Sequence, residues 1–451
     1  MKSGQQDAPT SAQAAYDELA AADASHVLHG MAPVAGTEPL ILAQGEGCWV
    51  TDARGDKYFD ANCGLMNVNV GYGRSELAES AAESMKRLSF AKMFWGHGSV
   101  AATRLAEKLS KITPDDISRF FFTASGSEAT DSAIKLVRYR NIVGGRPDKL
   151  KIIARVQSYH GMSIGAWSAT GEQSYWRNFG PRLEGFIHIP QPGRDDSAIE
   201  ALEATILKEG PDSIAAFIAE PISLPARVNV PPADYWPRVQ ELCNRFDIAL
   251  ILDEVVTGFG RTGKWFAAEH WKLAPDLMIL AKGITSGYFP LGAVAMTSRF
   301  VEGLAAGGEA ILHGFTAGGH PVGCDVALRN LEIISEEGLV ENAALVGDYL
   351  RSSLDAAGET TNLLTGVRGL GVLAAVDLVA DARQQRAFHS EAGVGAWMVG
   401  ELTRRHTIMR AYGDTLAIGL PLSATTADVD ELVERLSGAV NAIPETSRAA
   451  A

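Results

Sequence analysis

The feature that most constrains the fold is a series of short, continuously apolar runs that alternate with helical patterns between about Gly71 and Cys324. Strands with such sequences are buried on both faces, as in a mostly parallel sheet covered by helices. The predicted strands span residues 120–123, 151–156, 214–218, 248–252 and 277–280. The sequence therefore predicts an α/β fold in which helices wrap a mostly parallel central sheet.

The flanking segments predict a smaller α+β domain built from both ends of the chain. Alternation in residues 48–52 and 56–60 predicts a hairpin that turns at Arg54 and Gly55. Pro321 opens a helical pattern that residues 340–357 continue, and residues 371–378 and 427–442 predict a strand and a helix. We expect residues 1–70 to form an N-terminal arm, loosely ordered or helical over residues 1–25, and part of the small domain. Residues 71–330 would form the large domain, and residues 331–451 the rest of the small one.

Composition excludes several classes of partner. The formal net charge of −14 leaves no basic face for a nucleic acid. No apolar stretch approaches the roughly 20 residues that cross a bilayer, and residues 1–24 contain no apolar signal core. The four cysteines lie far apart, so no CxxC metal site is predicted: Cys48, Cys63, Cys243 and Cys324. We expect a cytoplasmic protein without metal, membrane or nucleic-acid partners.

Residues directly after the predicted strands are the candidates for chemistry, because ligands bind beyond the carboxyl ends of parallel strands. After the strand 120–123, Ser125 and Glu128 have the spacing of a capping box. Gly126 and Ser127 would then lie at a helix N-terminus, whose amide groups and dipole favour a phosphate. The alternative is a simple helix cap without a ligand.

Three further strand ends carry an aromatic ring, a carboxylate and a lysine. Tyr159, beside His160, could stack on a flat heterocycle or be a packed core aromatic. Asp253 ends an otherwise buried strand, so its carboxylate needs a cation or strong donors; a pyridinium NH, an arginine or a helix N-terminus would each serve. Lys282 ends the next strand, where most lysines point to solvent.

One cofactor uses all four features together, and it is pyridoxal 5′-phosphate (PLP). The helix N-terminus would hold its phosphate, the Tyr159 ring would stack on its pyridine, and Asp253 would keep the ring nitrogen protonated. Lys282 would form a Schiff base with its aldehyde. Once substrate displaces it, the free Lys282 amine could carry a proton to and from the substrate Cα.

The sequence resembles the class III aminotransferases, or ω-aminotransferases, of PLP fold type I, and the resemblance covers residues 29–436. It is greatest to the amine:pyruvate and β-alanine:pyruvate branch. The motifs that carry it are residues 64–73 (GLMNVNVGYG), 122–129 (FTASGSEA), 159–161 (YHG), 220–221 (EP), 252–263 (LDEVVTGFGRTG), 281–283 (AKG) and 313–321 (HGFTAGGHP).

The resemblance implies roles for individual residues. Lys282 and Asp253 resemble the catalytic lysine and its carboxylate partner, Gly126 and Ser127 the phosphate cup, and Tyr159 and Val255 the residues on the two ring faces. The other implied cofactor residues are Glu220, behind the cofactor, and Phe315 and Thr316, which would complete the phosphate cup of a second subunit. The implied assembly is therefore a homodimer with a shared active site, in which dimers could pair into tetramers. A buried structural salt bridge is the alternative for Glu220.

Substrate-pocket residues depart from the family pattern. Arg410 lies where many amine:pyruvate members bind the keto acid carboxylate; a surface ion pair is the alternative. Met66, Ala91 and Ala317 replace frequent aromatic residues, and residues 223–227 (SLPAR) replace a glycine-rich stretch. These exchanges predict a roomier pocket, which Phe90, Phe94, Trp95 and Arg227 could refill.

The predicted function is a ping-pong transfer of an amino group from an amine or ω-amino acid to a keto acid, with pyruvate as the family's acceptor. A fold type I decarboxylase or aminomutase is the alternative. A non-catalytic PLP-binding regulatory protein is the more distant one.

Overall fold

The computed structural model describes residues 11–36, 38–114 and 116–449 of the 451-residue chain. The predicted N-terminal arm is helical where it is described, and its first ten residues lie outside the described part. The helices are α1 (Ser11–His26), α2 (Cys63–Met66), α3 (Ser75–Arg87), α4 (Val100–Leu109), α5 (Gly126–Val143), α6 (Ile164–Ala169), α7 (Ser197–Glu209), α8 (Tyr235–Arg245), α9 (Ser298–Ala305), α10 (Pro321–Glu336), α11 (Leu339–Thr361), α12 (Val394–Arg404), α13 (Thr426–Asn441) and α14 (Glu445–Ala449).

Fifteen strands are found in the described part of the chain. They are β1 (Leu42–Glu46), β2 (Trp49–Asp52), β3 (Lys57–Asp60), β4 (Ile117–Thr123), β5 (Lys151–Arg155), β6 (Phe186–Ile189), β7 (Ile214–Ala219), β8 (Ala249–Asp253), β9 (Leu277–Leu280), β10 (Gly292–Thr297), β11 (Leu364–Leu370), β12 (Leu373–Leu378), β13 (Thr407–Ile408), β14 (Arg410–Tyr412) and β15 (Thr415–Gly419).

The central sheet has seven strands in the order β4-β10-β9-β8-β7-β5-β6. All its pairs are parallel except those of β10, which is antiparallel to both β4 and β9. Every residue of β7, β8, β9 and β10 is buried, as expected for strands covered by helices on both faces. The five predicted strands all belong to this sheet, so the predicted mostly parallel α/β sheet is confirmed. The strands β6 and β10 were not predicted.

Two smaller sheets lie outside the central one, and the first of them joins the two ends of the chain. In the first, β1, β2 and β3 are followed by β13, which pairs with β3 in parallel. The predicted hairpin of β2 and β3 is confirmed, and its turn is held by the Asp52 carboxylate, which accepts from the amides of Arg54 at 2.9 Å and Asp56 at 3.0 Å. The second small sheet has the order β11-β12-β15-β14.

The C-terminal helices match the sequence pattern closely. Pro321 lies in the first turn of α10, where its missing N–H costs no hydrogen bond. The helix α11 covers the predicted residues 340–357, and α13 covers most of 427–442. Thr425 caps α13 by accepting from the Asp428 amide at 3.2 Å. None of the helices in the described ranges has both the length and the hydrophobicity that a bilayer span requires.

Candidate active site

A cavity of about 420 Å³ lies beyond the carboxyl ends of the parallel strands of the central sheet. Residues that directly follow β4, β7 and β9, the last residue of β8, and Tyr159 shortly after β5 all contribute to its wall. This placement follows from topology, because the carboxyl ends of these strands meet at one edge of the sheet.

The N-terminus of α5 opens into one end of the cavity. Ser125 caps the helix, since its Oγ accepts from the Glu128 amide at 3.2 Å, while Glu128 Oε2 accepts from the Ala124 amide at 2.7 Å. The capping box predicted for Ser125 and Glu128 is thus formed with a small shift of the second bond. The amides of the first helical turn, including Gly126 and Ser127, have no intrahelical acceptor and favour an anion.

Asp253 is held at the cavity floor by a histidine. Its side chain is 4% exposed, and its Oδ2 lies 2.7 Å from His160 Nδ1. The other oxygen, Oδ1, accepts from the Val255 amide at 3.1 Å. The strong partner that burial demands is therefore an imidazole, rather than an arginine or a helix N-terminus.

A second buried carboxylate lies behind this pair. His160 Nε2, which has no hydrogen-bond partner among the described residues, lies 3.8 Å from Glu220 Oε2. Glu220 Oε1 accepts from the Tyr159 amide at 2.9 Å, and its Oε2 lies 3.5 Å from Arg155 Nη2. The Arg155 guanidinium in turn lies over the Trp236 ring, 5.5 Å from its centroid. Glu220 therefore belongs to a buried ion pair that also holds the backbone at Tyr159.

Lys282 follows β9 in a short 3₁₀ turn and adopts a left-handed backbone, with φ of 47°. Burial lowers the pKa of its amine to about 8, although the negative charge of Asp253 acts in the opposite direction. In the described part of the chain, the amine forms neither a hydrogen bond nor a salt bridge. It is an amine at the cavity wall, part-buried and free to react with a ligand.

Two side chains enclose the space between α5 and Asp253. Tyr159 and Val255 both line the cavity, and burial raises the pKa of the Tyr159 hydroxyl. The edge of Tyr159 meets the ring of Tyr175, with centroids 5.8 Å apart and planes at 83°. A slot with an anion-binding end, a buried carboxylate and an unpartnered lysine fits the phosphate, ring nitrogen and aldehyde of PLP.

Comparison with known proteins decides the family. The model of the family described as "Aminotransferase class-III" matches residues 31–440. The chain is a class-III aminotransferase. A putrescine–pyruvate aminotransferase of Pseudomonas aeruginosa is 39% identical over 406 residues, which cover 87% of this chain and 88% of the relative.

Solved structures agree with that assignment. An (S)-enantioselective ω-transaminase from Thermomicrobium roseum superposes with a TM-score of 0.90 at 41% identity, covering 94% of this aminotransferase and 98% of that chain. The ω-transaminase of Pseudomonas jessenii in complex with PMP has a TM-score of 0.92 at 37% identity and covers 95% and 99%. Fold type I, PLP dependence and transamination are therefore confirmed, and the resemblance to the amine:pyruvate branch is borne out.

Most of the predicted site residues lie together in this aminotransferase. Those that line the cavity are Met66, Gly126, Ser127, Tyr159, Glu220, Asp253, Val255, Lys282 and Arg410. Phe94, Trp95, Phe315 and Thr316 are not part of the cavity wall of their own chain. The Phe94 ring instead packs over Gly314, and Trp95 is 84% exposed. The roles of these four residues stay predictions.

Sequence reasoning missed several residues of the cavity wall. Tyr175 lies in a 3₁₀ turn after α6, and Tyr412 ends β14. Ile222 was also missed; it follows β7 and packs in a small apolar cluster with Met66 and with Leu224, which belongs to the predicted stretch 223–227. None of them follows a strand immediately, so the pattern that revealed Asp253 and Lys282 could not reveal these positions.

Proposed function

We propose that this aminotransferase transfers an amino group from an amine with apolar substituents to pyruvate, in two half-reactions at one site. The single observation that carries the proposal is that one largely apolar cavity contains a lysine amine and an arginine that, among the described residues, have no carboxylate partner. Lys282 supplies the reactive amine, and Arg410 supplies the positive charge for an acceptor carboxylate.

Residues of both the sheet and α5 would hold the cofactor. Gly126 and Ser127 would bind the phosphate, Tyr159 and Val255 would enclose the ring, and Asp253 would face the ring nitrogen. When bound, PLP supplies an electron-accepting ring that stabilises the charge left when a substrate Cα loses its proton. His160 Nδ1, 2.7 Å from Asp253 Oδ2, would hold the carboxylate in place to face a protonated ring nitrogen.

Lys282 would act as both the attachment point and the proton carrier. Its lowered pKa makes the neutral amine accessible near pH 8, and only the neutral amine can attack a carbonyl or accept a proton. Once an incoming amine has released it from the cofactor, the same nitrogen would be the group that moves a proton at the substrate Cα. Burial is the physical cause of this reactivity, because it disfavours the charged ammonium.

Arg410 would bind the carboxylate of the keto acid. Its guanidinium lies over the Tyr412 ring at 4.7 Å from the centroid and forms no salt bridge among the described residues. A planar fork of donors without a protein counterion suits a carboxylate ligand. Pyruvate is the smallest keto acid that presents one.

The remaining wall favours apolar groups on the amine donor. Met66, Ile222 and Leu224 form the apolar cluster beside the cavity. Among the described residues, two carboxylates line the cavity, and both already have partners: Asp253 contacts His160, and Glu220 pairs with Arg155. A second ammonium on the donor would therefore lack a free counterion in this wall.

We also propose that two copies share their active sites, as the family resemblance implies. Residues 90–95 and 311–317 lie against each other and expose a patch of large apolar side chains that includes Phe90, Met93, Trp95 and Leu312. Such a patch marks an association surface, and Thr316 on it is exposed.

Two further proposals concern the location of the protein and the division of its chain. All four cysteines are free and buried, which supports a reducing cytoplasm. The small sheet that joins β3 to β13 supports a small domain built from residues 1–70 and 331–451.

A panel of amines added singly, without acceptor, tests the function. Loss of the absorbance of the lysine-bound cofactor is followed for an aryl-alkyl amine, a short ω-amino acid and a diamine. We expect the aryl-alkyl amine to react fastest, and pyruvate to restore the original spectrum. A fast diamine and a slow aryl-alkyl amine would contradict the donor assignment, and an active Lys282→Ala variant would contradict the site.

A further inference from the structure

Tyr175 lies between the residue proposed to stack on the cofactor and the arginine proposed to bind the acceptor. Its hydroxyl accepts a hydrogen bond from Arg410 Nη2 at 2.9 Å, and the edge-to-face contact with Tyr159 fixes its ring. We propose that Tyr175 is the positioning residue that holds Arg410 in its inward orientation, and so sets selectivity for acceptors that carry a carboxylate. This inference rests on the proposed role of Arg410.

The position of Tyr175 is itself firmly fixed. Its backbone carbonyl accepts from the indole N–H of Trp167 at 2.7 Å, and its amide donates to the Glu172 carbonyl at 3.1 Å. The next residue, Trp176, donates its indole N–H to the Thr170 carbonyl at 2.9 Å. Two indole bonds on one short 3₁₀ turn leave little freedom to the segment that presents the hydroxyl.

Arg410 needs such a holder, because it has no other polar partner in the described part of the chain. The Tyr412 ring covers one face of the guanidinium, but a ring face does not select a direction for its N–H groups. A single neutral acceptor orients the fork without neutralising it, whereas a carboxylate in the same place would compete with the substrate.

The bond between Tyr175 and Arg410 favours acceptors that carry a carboxylate over neutral ones. With the Tyr175 hydroxyl present, the guanidinium stays at the cavity wall, where a keto acid binds it without first reorienting a long side chain. Without the hydroxyl, Arg410 must lose more side-chain freedom each time a carboxylate binds. Neutral acceptors gain nothing from the hydrogen bond between Tyr175 and Arg410. Its loss therefore lowers the kcat/KM for keto acids relative to that for neutral acceptors.

The test compares pyruvate with acetaldehyde, which carries a hydrogen in place of the carboxylate. The Tyr175→Phe holoenzyme, first loaded with the amine, is given each acceptor, and kcat/KM is measured for both. We expect the ratio of kcat/KM for pyruvate to kcat/KM for acetaldehyde to fall about tenfold, the size associated with losing one hydrogen bond to a charged group. The change should lie mainly in KM for pyruvate rather than in kcat.

A double-mutant cycle with Arg410→Leu separates this inference from the function on which it rests. If Arg410→Leu leaves the ratio unchanged, the proposed carboxylate site is wrong. If Arg410→Leu lowers the ratio and Tyr175→Phe does not, the positioning role alone is wrong. In the Arg410→Leu background, we expect Tyr175→Phe to leave the ratio of the two kcat/KM values unchanged. If Tyr175→Phe lowers the ratio there as much as it does in the wild-type background, Tyr175 acts on the substrate directly and the positioning role is wrong.

Discussion

The pKa of Lys282 makes a quantitative prediction about how the apoenzyme captures PLP. Burial lowers that pKa from 10.5 to about 8. A lysine with a pKa of about 8 is about 10% neutral at pH 7 and about 90% neutral at pH 9, a tenfold rise that then levels off. The neutral fraction of an unperturbed lysine would rise about a hundredfold over the same pH range and would not level off.

The assay follows cofactor capture by stopped-flow absorbance between about pH 6 and about pH 10. Rates of PLP reaction with a free lysine derivative in the same buffers correct for the ionisation of the cofactor itself. Because the charge of Asp253 raises the Lys282 pKa, Asp253→Asn should move the midpoint to lower pH. A corrected rate that rises a hundredfold without a plateau would refute the claim that burial activates this lysine.

Three substitutions test the rest of the site. Asp253→Asn should slow amino transfer by about a hundredfold or more, because it removes a preorganised negative charge. Single-turnover absorbance changes of the cofactor-loaded enzyme measure this rate. An unchanged rate would show that Asp253 takes no part in the chemistry. Met66→Trp should lower kcat/KM for a bulky amine about tenfold relative to a small amine, by filling the apolar wall; equal losses for both would argue against that role. Gly161→Ala should cost ~1–3 kcal/mol and weaken PLP binding, because φ is 124° and the new Cβ would lie 2.5 Å from Ser127 Oγ. Gly145→Ala is the control for backbone strain, because Gly145 also has a positive φ, of 79°, but a new Cβ there would have nothing within 4 Å. Both variants are compared by thermal unfolding and by PLP titration. Similar effects at both positions would contradict the steric cause.

The sequence was most informative where burial imposes a pattern. Strands covered on both faces must be continuously apolar, so the polar residue at the end of each run stands out; Asp253 and Lys282 were found in this way. The strand β10 was missed because Gly292–Thr297 contains only two larger apolar residues, Val294 and Met296, and passes directly into α9. The pairing of β10 with β4 joins distant parts of the chain and has no local signature.

Other features depend on contacts that no local pattern contains. The bond of Tyr175 to Arg410 joins a turn after α6 to β14, and either residue alone resembles an ordinary surface side chain. The network of His160, Glu220 and Arg155 forms only when β5, β7 and β8 are neighbours. Residues such as Thr316, which would act in a second subunit, were reachable only through family resemblance.

The most direct test of the account is the identity of the residue that carries the cofactor. The yellow holoenzyme is reduced with borohydride, digested and mapped by mass spectrometry. The account predicts a pyridoxyl group on the peptide that contains Lys282, and no such group in the Lys282→Ala variant. A modification on another lysine, or an unmodified Lys282 in fully loaded enzyme, would contradict it.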